Sequence, residues 1–540
     1  MDREDFSETL VDRDSDDDYR VSAGRSPIQF DKQFPLEDFD ALLSARNQAS
    51  LPEALRARID RQLKDRFSAE LTAQATTLLL KRQPQMSALS PLSSWQRAVF
   101  TTVPVLLIFG LVFYPAISTK LVLCILFLYC IASTTLKGAL MFASLKTPGK
   151  STISRPTRTP IVTLFLPVHD EDRAIVALVS ELKKLDYPSD RLDIKFLAEA
   201  DDAKTLKALS RVNLPKQFSV LEIPKSEPQT KPKAMNYALP FARGEIVGIY
   251  DAEDAPEADQ IKKAVAALEA ADERTVCVQS RLNHYDATET FISRMASLEY
   301  TLWFDMLLRG LSNLRLPIPL GGTSLFIRTE ALRAIDGWDP NNVTEDADLG
   351  VRLARKGWRA EVIDSTTWEE PPVAMGQWIG QRSRWIKGFM VTWLVHMRSP
   401  RLLFRELGWW RALAINVMLL DGFVAFLVQP VFWVAIGFAV VIGGAPWSDL
   451  LTPSISLAMA WVFVAGHVFI LISTLVAVRR RFGVARALWS PCLWLYWQLA
   501  TIPAYRALRE MFGQQSSWSK TAHGLSKAAK QRRDNALQDD

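Results

Sequence analysis

Apolar residues are spread unevenly along this 540-residue chain. Two long apolar stretches, at about residues 99–145 and 409–507, flank a block in which short apolar runs alternate with amphipathic ones. A hydrocarbon core takes about 20 helical residues to cross. The first stretch therefore divides into two spans, about 99–117 and 120–144, joined by a turn too short to hold a domain. The second divides at Pro430 into about 410–428 and 430–442, followed by about 455–478 and 485–506. Six spans are expected, with the block between them inserted as a water-soluble domain.

Within that block the period switches repeatedly between two and 3.6 residues. Strands are expected at about 161–167, 192–197, 218–223, 245–250 and 275–280, with helices at about 172–185 and 258–271. Such alternation predicts a mostly parallel sheet covered on both faces. No Gly-x-Gly-x-x-Gly follows the first strand and no phosphate loop ending in Gly-Lys-Ser/Thr occurs, which disfavours dinucleotide and ATPase chemistry. Upstream, residues 1–33 are rich in Asp and are expected to be disordered. Residues 34–94 read as a helical module and a Ser-rich linker, with Leu51, Leu55, Ile59 and Leu63 on one face. That module suits a regulatory or partner-binding role and equally a collar on the membrane surface.

Charge adds orientation. Lys and Arg number 64 against 59 Asp and Glu, too near balance to point to nucleic acid. Lys146, Lys150, Arg155 and Arg158 follow the first span pair, which places the soluble block in the cytoplasm. Arg479, Arg480 and Arg481 conflict with this, because six spans put them outside. Cys124, Cys130 and Cys492 lie in apolar segments and Cys277 in a strand, without metal or disulfide spacing, so all four read as packing residues.

The polar clusters fall at strand ends. Residues 245–250 run into Asp251, Glu253 and Asp254, a spacing that suits a hard divalent cation carrying a phosphate-bearing substrate and also suits a solvated turn. The first strand ends in His169-Asp170-Glu171-Asp172, and the second in Glu199-Ala200-Asp201-Asp202. Lys231-Pro232-Lys233-Ala234-Met235-Asn236 supplies cations for a diphosphate. Each acidic cluster alone is also an ordinary helix cap. Downstream come Gly321-Gly322-Thr323-Ser324, then Thr344-Glu345-Asp346 at a helix start, then Gln381-Arg382-Ser383-Arg384-Trp385 on an amphipathic helix. That helix is expected to lie on the membrane with its polar face closing the site. Asp421, inside a span, either lines a polar channel or pairs with a neighbouring helix.

Asp251-Ala-Glu-Asp, Thr344-Glu-Asp and Gln381-x-x-Arg384-Trp385, in this order between membrane spans, resemble the processive family-2 glycosyltransferases. These are the cellulose, hyaluronan and chitin synthase group, together with bacterial exopolysaccharide and β-glucan synthases. The resemblance covers about residues 160–524. It implies an α/β GT-A domain, a Rossmann-like mixed sheet, at residues 146–375, inserted in an α-helical transmembrane bundle. Interfacial helices at 376–408, spans at 409–507 and a gating-loop-like segment at 508–540 complete that organisation. A multi-pass protein of the inner membrane is implied, with its catalytic domain cytoplasmic. It would take a UDP-sugar, use Mg²⁺ or Mn²⁺, invert the anomeric carbon, and secrete the growing polysaccharide through its own channel. UDP-glucose and a β-glucan are the implied pair, with room for a regulatory or periplasmic export partner and none for nucleic acid.

By matching position, the resemblance gives Asp346 the role of general base, with Thr344 and Glu345 beside it. Glu171 with Glu199 or Asp201 would hold the uridine, and Lys233, Asp251 and Arg384 the rest of the donor. Asp251 and Glu253 occupy the metal positions; Glu253 stands where a second Asp is usual, which leaves Asp254 as its rival. Gln381, Arg384 and Trp385 would hold the acceptor. Thr521, His523 and Gly524 match a gating loop, with His523 in place of a Lys. Two other readings remain: a non-processive transferase that glycosylates a lipid, and a membrane scaffold or transporter with a dead transferase domain. The intact Asp251 cluster and Asp346 weigh against the second.

Overall fold

A computed structural model describes residues 19–23, 26–30, 39–46, 53–90, 92–146, 156–442, 453–511 and 524–539. Inside the acidic amino-terminal stretch, β1 (Tyr19–Ala23) and β2 (Ser26–Phe30) pair antiparallel, with Val21 opposite Ile28 and Tyr19 opposite Phe30. This hairpin lies within a segment whose overall composition predicts disorder. Three helices follow, α1 (Phe39–Arg46), α2 (Glu53–Arg66) and α3 (Ser68–Arg82). Leu55, Ile59 and Leu63 of the expected face are buried, and Leu51 lies outside the described residues.

Two long helices come next, α4 (Ser94–Phe113) and α5 (Pro115–Leu145). α4 opens with a capping box, in which the Ser93 N–H donates to Gln96 Oε1 at 2.9 Å. Large apolar side chains along both stand exposed, among them Val105, Leu106, Ile108, Val112, Leu121 and Ile125. In a chain surrounded only by water that surface would be untenable.

The soluble block builds its sheet from β3 (Val162–Val168), β4 (Leu192–Glu199), β5 (Phe218–Ile223), β6 (Ile246–Ile249), β7 (Ala255–Pro256), β8 (Thr275–His284), β9 (Leu325–Arg328) and β10 (Arg359–Glu369). Their spatial order is β5-β4-β3-β6-β9-β8-β10-β7. β3 runs parallel to β4 and β6, β4 to β5, and β8 to β10. β9 is antiparallel to both β6 and β8, and β7 is antiparallel to β10. The sheet is thus mixed and covered on both faces. Leu164 and Leu166 of β3 face Ile175, Leu178 and Leu182 of α6 (Ile175–Lys183), with α7 (Ala203–Arg211) nearby. Phe165 points the other way, into a core shared with Met235 and Tyr237 of α8 (Lys231–Ala238). α9 (Gln260–Ala270) adds Ile261 and Val265 to the first face. This alternation across one strand is what a sheet buried on both sides requires.

After β8, α10 (Phe291–Tyr300) runs through a π-helical stretch at Thr301–Leu308 into α11 (Arg309–Asn313). α12 (Thr329–Ala334) and α13 (Glu345–Arg355) lead to β10, and α14 (Met375–His396) then lies beneath the domain. α15 (Pro400–Leu407), α16 (Trp409–Asp421), α17 (Val424–Ile442) and α18 (Pro453–Phe482) complete the long helices.

The span count differs from the six expected. Among the described residues three helices are long and apolar enough to cross a membrane: α4, α5 and the part of α18 from Leu457 to Phe482. A fourth arises if α16 and the start of α17, bent by 46° at their junction, count as one broken span. The expected last span, 485–506, is a set of short pieces: α19 (Val484–Ala487), α20 (Leu493–Leu499) and the beginning of α21 (Thr501–Met511). α21 packs along α14, while the Trp- and Tyr-rich α20 rests on α10 and accepts the Trp378 indole N–H of α14 on the Tyr496 hydroxyl at 2.6 Å.

The chain closes with α22 (Lys527–Asp539). Glu370, just past β10, accepts the N–H groups of Gly524, Leu525 and Ser526 at 2.6, 2.8 and 2.7 Å. Gly524 adopts φ +77°, a conformation that favours glycine. Thr521 and His523 lie outside the described residues.

Candidate active site

Four polypeptide ends meet at the carboxyl edge of the sheet. β3 delivers His169, Asp170 and Glu171; β6 delivers the Asp251–Asp254 turn; the loop before β9 delivers Gly321–Ser324; β10 delivers Glu369. Asp170 and Ser324 both hold positive φ, +55° each, so the backbone turns sharply at two of these ends. α13 and α14 close the far side. Together they line a cavity of about 1790 Å³ that includes Glu171, Asp251, Glu253, Asp346, Gln381 and Trp385.

The acidic turn sorts its three carboxylates by burial. Asp254 is 1% exposed and accepts the Asp251 N–H at 2.8 Å and the Thr323 hydroxyl. Burial, with Asp251 and Glu253 nearby, holds its pKa well above the ordinary carboxylate value. Asp254 therefore fixes the turn from within, while Asp251 and Glu253 face the cavity. Of the two candidates for the second acidic position, Glu253 is thus the one on the cavity side.

Of the two lysines, the structure favours the one that the resemblance passed over. Lys233 is fully buried, 2.8 and 3.0 Å from the Glu199 carboxylate and 2.8 Å from the Pro224 carbonyl. Neither Lys233 nor Glu199 lines the cavity. Lys231 does; it pairs with Asp251 and donates to the Gly322 carbonyl at 2.8 Å. Residues two apart on a helix point to nearly opposite sides, so only one of the pair can face the site. Lys233 is corrected from diphosphate contact to buried counter-ion. Asp201 likewise stays outside, paired with Lys225 at 3.0 Å and Gln229 at 2.9 Å. Asp202 caps α7, accepting the Thr205 N–H at 3.2 Å. Of the proposed uridine ligands only Glu171 lines the cavity.

At the start of α13, Glu345 and Asp346 enter the cavity beside Lys231. Burial pushes Asp346 up to about 6, against the pull of the Ala347 N–H, 2.8 Å away, and of Lys231. Burial and the adjacent Asp346 raise Glu345 further, to about 8. Glu369 is raised well above its ordinary value by burial and by Asp254, Glu253 and Asp251. Burial lowers the Lys231 pKa, but Asp251, Glu345 and Asp346 more than offset that and raise it. Gly322 borders both groups, since a Cβ on it would stand in ordinary contact, 3.4 Å from Asp346 Oδ2 and 3.7 Å from Lys231 Nζ.

α14 brings Gln381, Arg384 and Trp385 to the cavity wall, and Arg382 with them. Arg382 pairs with Glu299 and lies over the Trp385 ring, 4.8 Å from its centroid. The close seating of α14 depends on Gly388, where any Cβ would overlap Thr344. Thr344 itself is buried and is held by Asn342 Oδ1, which accepts its N–H at 3.1 Å. From Trp385 and Phe389 the same cavity continues between the long helices, past Gly422 and Asp421 to His467. Asp421 is paired with a neighbouring helix, as one of its two readings expects. It accepts from Tyr129 and from Ser133 at 2.9 Å, pairs with Lys137 at 3.1 Å, and lines the cavity.

Among the described residues no group of three or more His, Cys, Asp or Glu side chains is placed to hold a metal ion. Asp251 and Glu253 alone fit the manner of Mg²⁺, which takes one or two carboxylates and completes its shell with phosphate oxygens and water.

Residues 246–479 match the family model described as glycosyl transferase family group 2. β-Monoglucosyldiacylglycerol synthase of Trichormus variabilis is 28% identical over 239 residues, 42% of this chain and 49% of that protein. The cellulose synthase catalytic subunit (UDP-forming) of Komagataeibacter sucrofermentans is 25% identical over 252 residues, 43% of this chain and 31% of that protein. The chain thus spans half or less of these relatives' length. Among solved structures, mannosyltransferase PcManGT from Pyrobaculum calidifontis, in complex with GDP-Man and Mn²⁺, aligns with TM-score 0.45 and 20% identity over 72% of this chain and 99% of its own. The acidic turn, α13 and α14 fall within the matched residues, and this part of the chain matches a group 2 glycosyltransferase domain, an enzyme domain of the hexosyltransferase type.

Proposed function

We propose that the chain is a processive, inverting hexosyltransferase of the membrane that takes glucose from UDP-glucose and builds a β-linked glucan led out between its own helices. The observation that carries this reading is the single cavity from Glu171 and Asp251, past Asp346 and Trp385, to Asp421 and His467. At about 1790 Å³ it exceeds the roughly 300–1,000 Å³ that one small ligand needs, leaving room for donor and acceptor together.

The acceptor rests on Trp385, held by Gln381, with its hydroxyl directed at Asp346. Asp346 takes the hydroxyl proton as the oxygen attacks C1 of the sugar from the face opposite the diphosphate. The C1–oxygen bond to the diphosphate breaks and UDP departs with the bonding pair. Lys231 and Arg384 meet the charge that develops on it. Asp251 and Glu253 would hold Mg²⁺ or Mn²⁺, which supplies further neutralisation of the diphosphate. Glu171 stands at the nucleoside end of the cavity.

A second reading, transfer of one sugar to a lipid, is favoured by one observation: three or four helices long enough to cross among the described residues, where six were expected. Product length separates the two. Purified protein in lipid vesicles with Mg²⁺ or Mn²⁺ is given UDP-glucose, UDP-N-acetylglucosamine and UDP-glucuronate in turn, with Asp346→Asn as control. High-molecular-weight product from UDP-glucose alone, absent in the control, is expected. UDP release with only a lipid-linked short product would establish the second reading, and release unchanged in Asp346→Asn would remove Asp346 from the chemistry.

A further inference from the structure

α1–α3 lie outside the residues matched by the family, yet their apolar face is spent on the catalytic domain. Leu55, Ile59, Leu63 and Leu71 pack in one cluster with Met235, Tyr237, Phe241 and Trp338. The face that the sequence offered to a partner or to the membrane surface is therefore already covered from within the chain.

The polar contacts across this seam are not scattered. Arg46, 2% exposed, pairs with Asp60 at 2.8 Å and donates to the Phe241 and Ala242 carbonyls at 2.8 and 3.3 Å. Those carbonyls end the 3₁₀ turn that continues α8, where a cation complements the helix terminus. Closer to the start of α8, Asn236 donates to the Ala75 carbonyl of α3 at 3.1 Å and to the Trp338 carbonyl at 2.8 Å. It also accepts the Trp338 N–H at 2.9 Å. Arg82 and Gln83 hold Asp336 at 2.8 and 3.0 Å. The module thus grips two segments, α8 and the loop 336–344. The first begins with Lys231 and the second ends immediately before Glu345 and Asp346. The Thr230 hydroxyl, donating to the Pro340 carbonyl at 3.0 Å, ties the two together.

We infer that α1–α3 form a built-in brace that sets Lys231 against Asp346, with Arg46 and Asn236 as positioning residues acting through α8. The inference rests on the proposed roles of Lys231 and Asp346. Anything that loosens the module slows sugar transfer without entering the cavity.

The test is a double-mutant cycle on the full chain in vesicles, joining Arg46→Met with Lys231→Met, with amide hydrogen exchange of residues 231–238 as a readout independent of turnover. Displacing a reacting group by a fraction of an ångström to an ångström lowers kcat by roughly 10- to 100-fold. Arg46→Met is expected to do so with donor KM within about twofold, while Arg46→Met added to Lys231→Met costs no more than about twofold further. Exchange at 231–238 is expected to quicken at least about tenfold. Full additivity, an unchanged kcat, or unaltered exchange would overturn the brace. Should Arg46→Met fail to fold, Asn236→Ser takes its place in the same cycle. A wild-type chain that releases no UDP would sink the functional reading instead, and the exchange arm would still judge the brace.

Discussion

Replacing Lys231 with methionine separates two jobs that one ammonium performs. Lys231 Nζ and Asp346 Oδ2 flank the same point beside Gly322, at 3.7 and 3.4 Å, so they stand about 7 Å apart or less. At that separation and an effective dielectric near 20, their attraction is roughly 2 kcal/mol, between one and two pKa units. Removing a cation disfavours the ionised carboxylate, so the Asp346 pKa moves up from about 6 to about 7.5. At pH 7 the ionised fraction of the base then falls by roughly fourfold. Loss of a charge aimed at the departing diphosphate adds roughly 10²–10³. The expected result in Lys231→Met is therefore a kcat lower by roughly 10³ at pH 7, with the acid limb of the kcat profile moved up by one to two units. Raising the pH to 9 recovers only the roughly fourfold part. Steady-state UDP release from pH 5 to 9 measures both. An acid limb that stays in place, or a loss smaller than about tenfold, would refute the placement of Lys231 beside both base and diphosphate.

Lys233→Met leaves Glu199 buried without its partner, so chemical denaturation should record a loss of roughly 3–5 kcal/mol, with donor KM unchanged in the folded fraction; a raised KM at full stability would return Lys233 to the diphosphate. Glu345 is held protonated by burial up to about pH 8, whereas the unfolded chain ionises it near 4.3. The native state thus binds the extra proton, its stability falls as pH rises across that window, and Glu345→Gln should melt above wild type at pH 8 but with it at pH 4.5. Gly388→Ala forces α14 away from Thr344, at a cost of roughly 1–3 kcal/mol by urea unfolding together with lower kcat; a silent substitution would show that the close approach is not needed. Mn²⁺ titrated with UDP should give a bound paramagnetic resonance signal in wild type and none in Asp251→Asn, and equal signals in both would place the cation elsewhere.

The strand positions were legible because a sheet buried on both faces writes continuous apolar runs, as in 161–167 and 192–197. The motif residues were legible for a related reason: Asp251, Glu345 and Asp346 sit where regular elements begin or end, Trp385 sits on one continuous helix, and their order along the chain is local information. What the sequence did not carry is which side of an element a residue takes when both sides are buried. Lys231 and Lys233 have the same chemistry and differ only in the direction they leave α8. Glu369 and Arg382 reach the site from β10 and α14, through contacts with Tyr300 and Glu299 that lie far away in sequence. The hairpin β1–β2 was hidden by the Asp-rich composition around it.

The same distinction accounts for the span count. Hydropathy sums a window and is blind to where a helix is tied, so the Trp- and Tyr-rich stretch 485–506 scores as a span. The ties decide otherwise. α4 begins where Trp95 and Gln96 donate to the Arg398 and Leu394 carbonyls at 2.9 and 2.8 Å. α5 ends where Asn313 donates to the Ala143 carbonyl at 2.9 Å. α16 begins where Arg411 donates to the Arg315 carbonyl at 2.7 Å, and α18 ends where Arg481 pairs with Asp305 at 2.7 Å. All four ends are therefore fastened to the catalytic domain or to α14 against it, and the helices hang from them as two hairpins, the second made of the bent α16–α17 pair and α18. In that arrangement Arg479, Arg480 and Arg481 close the domain-side end of α18, where Arg481 meets Thr366 and Asp305. Counted as one span, the bent α16–α17 pair brings the total among the described residues to four, and the positive-inside tendency then sets the domain and this basic helix end on one face of the bilayer.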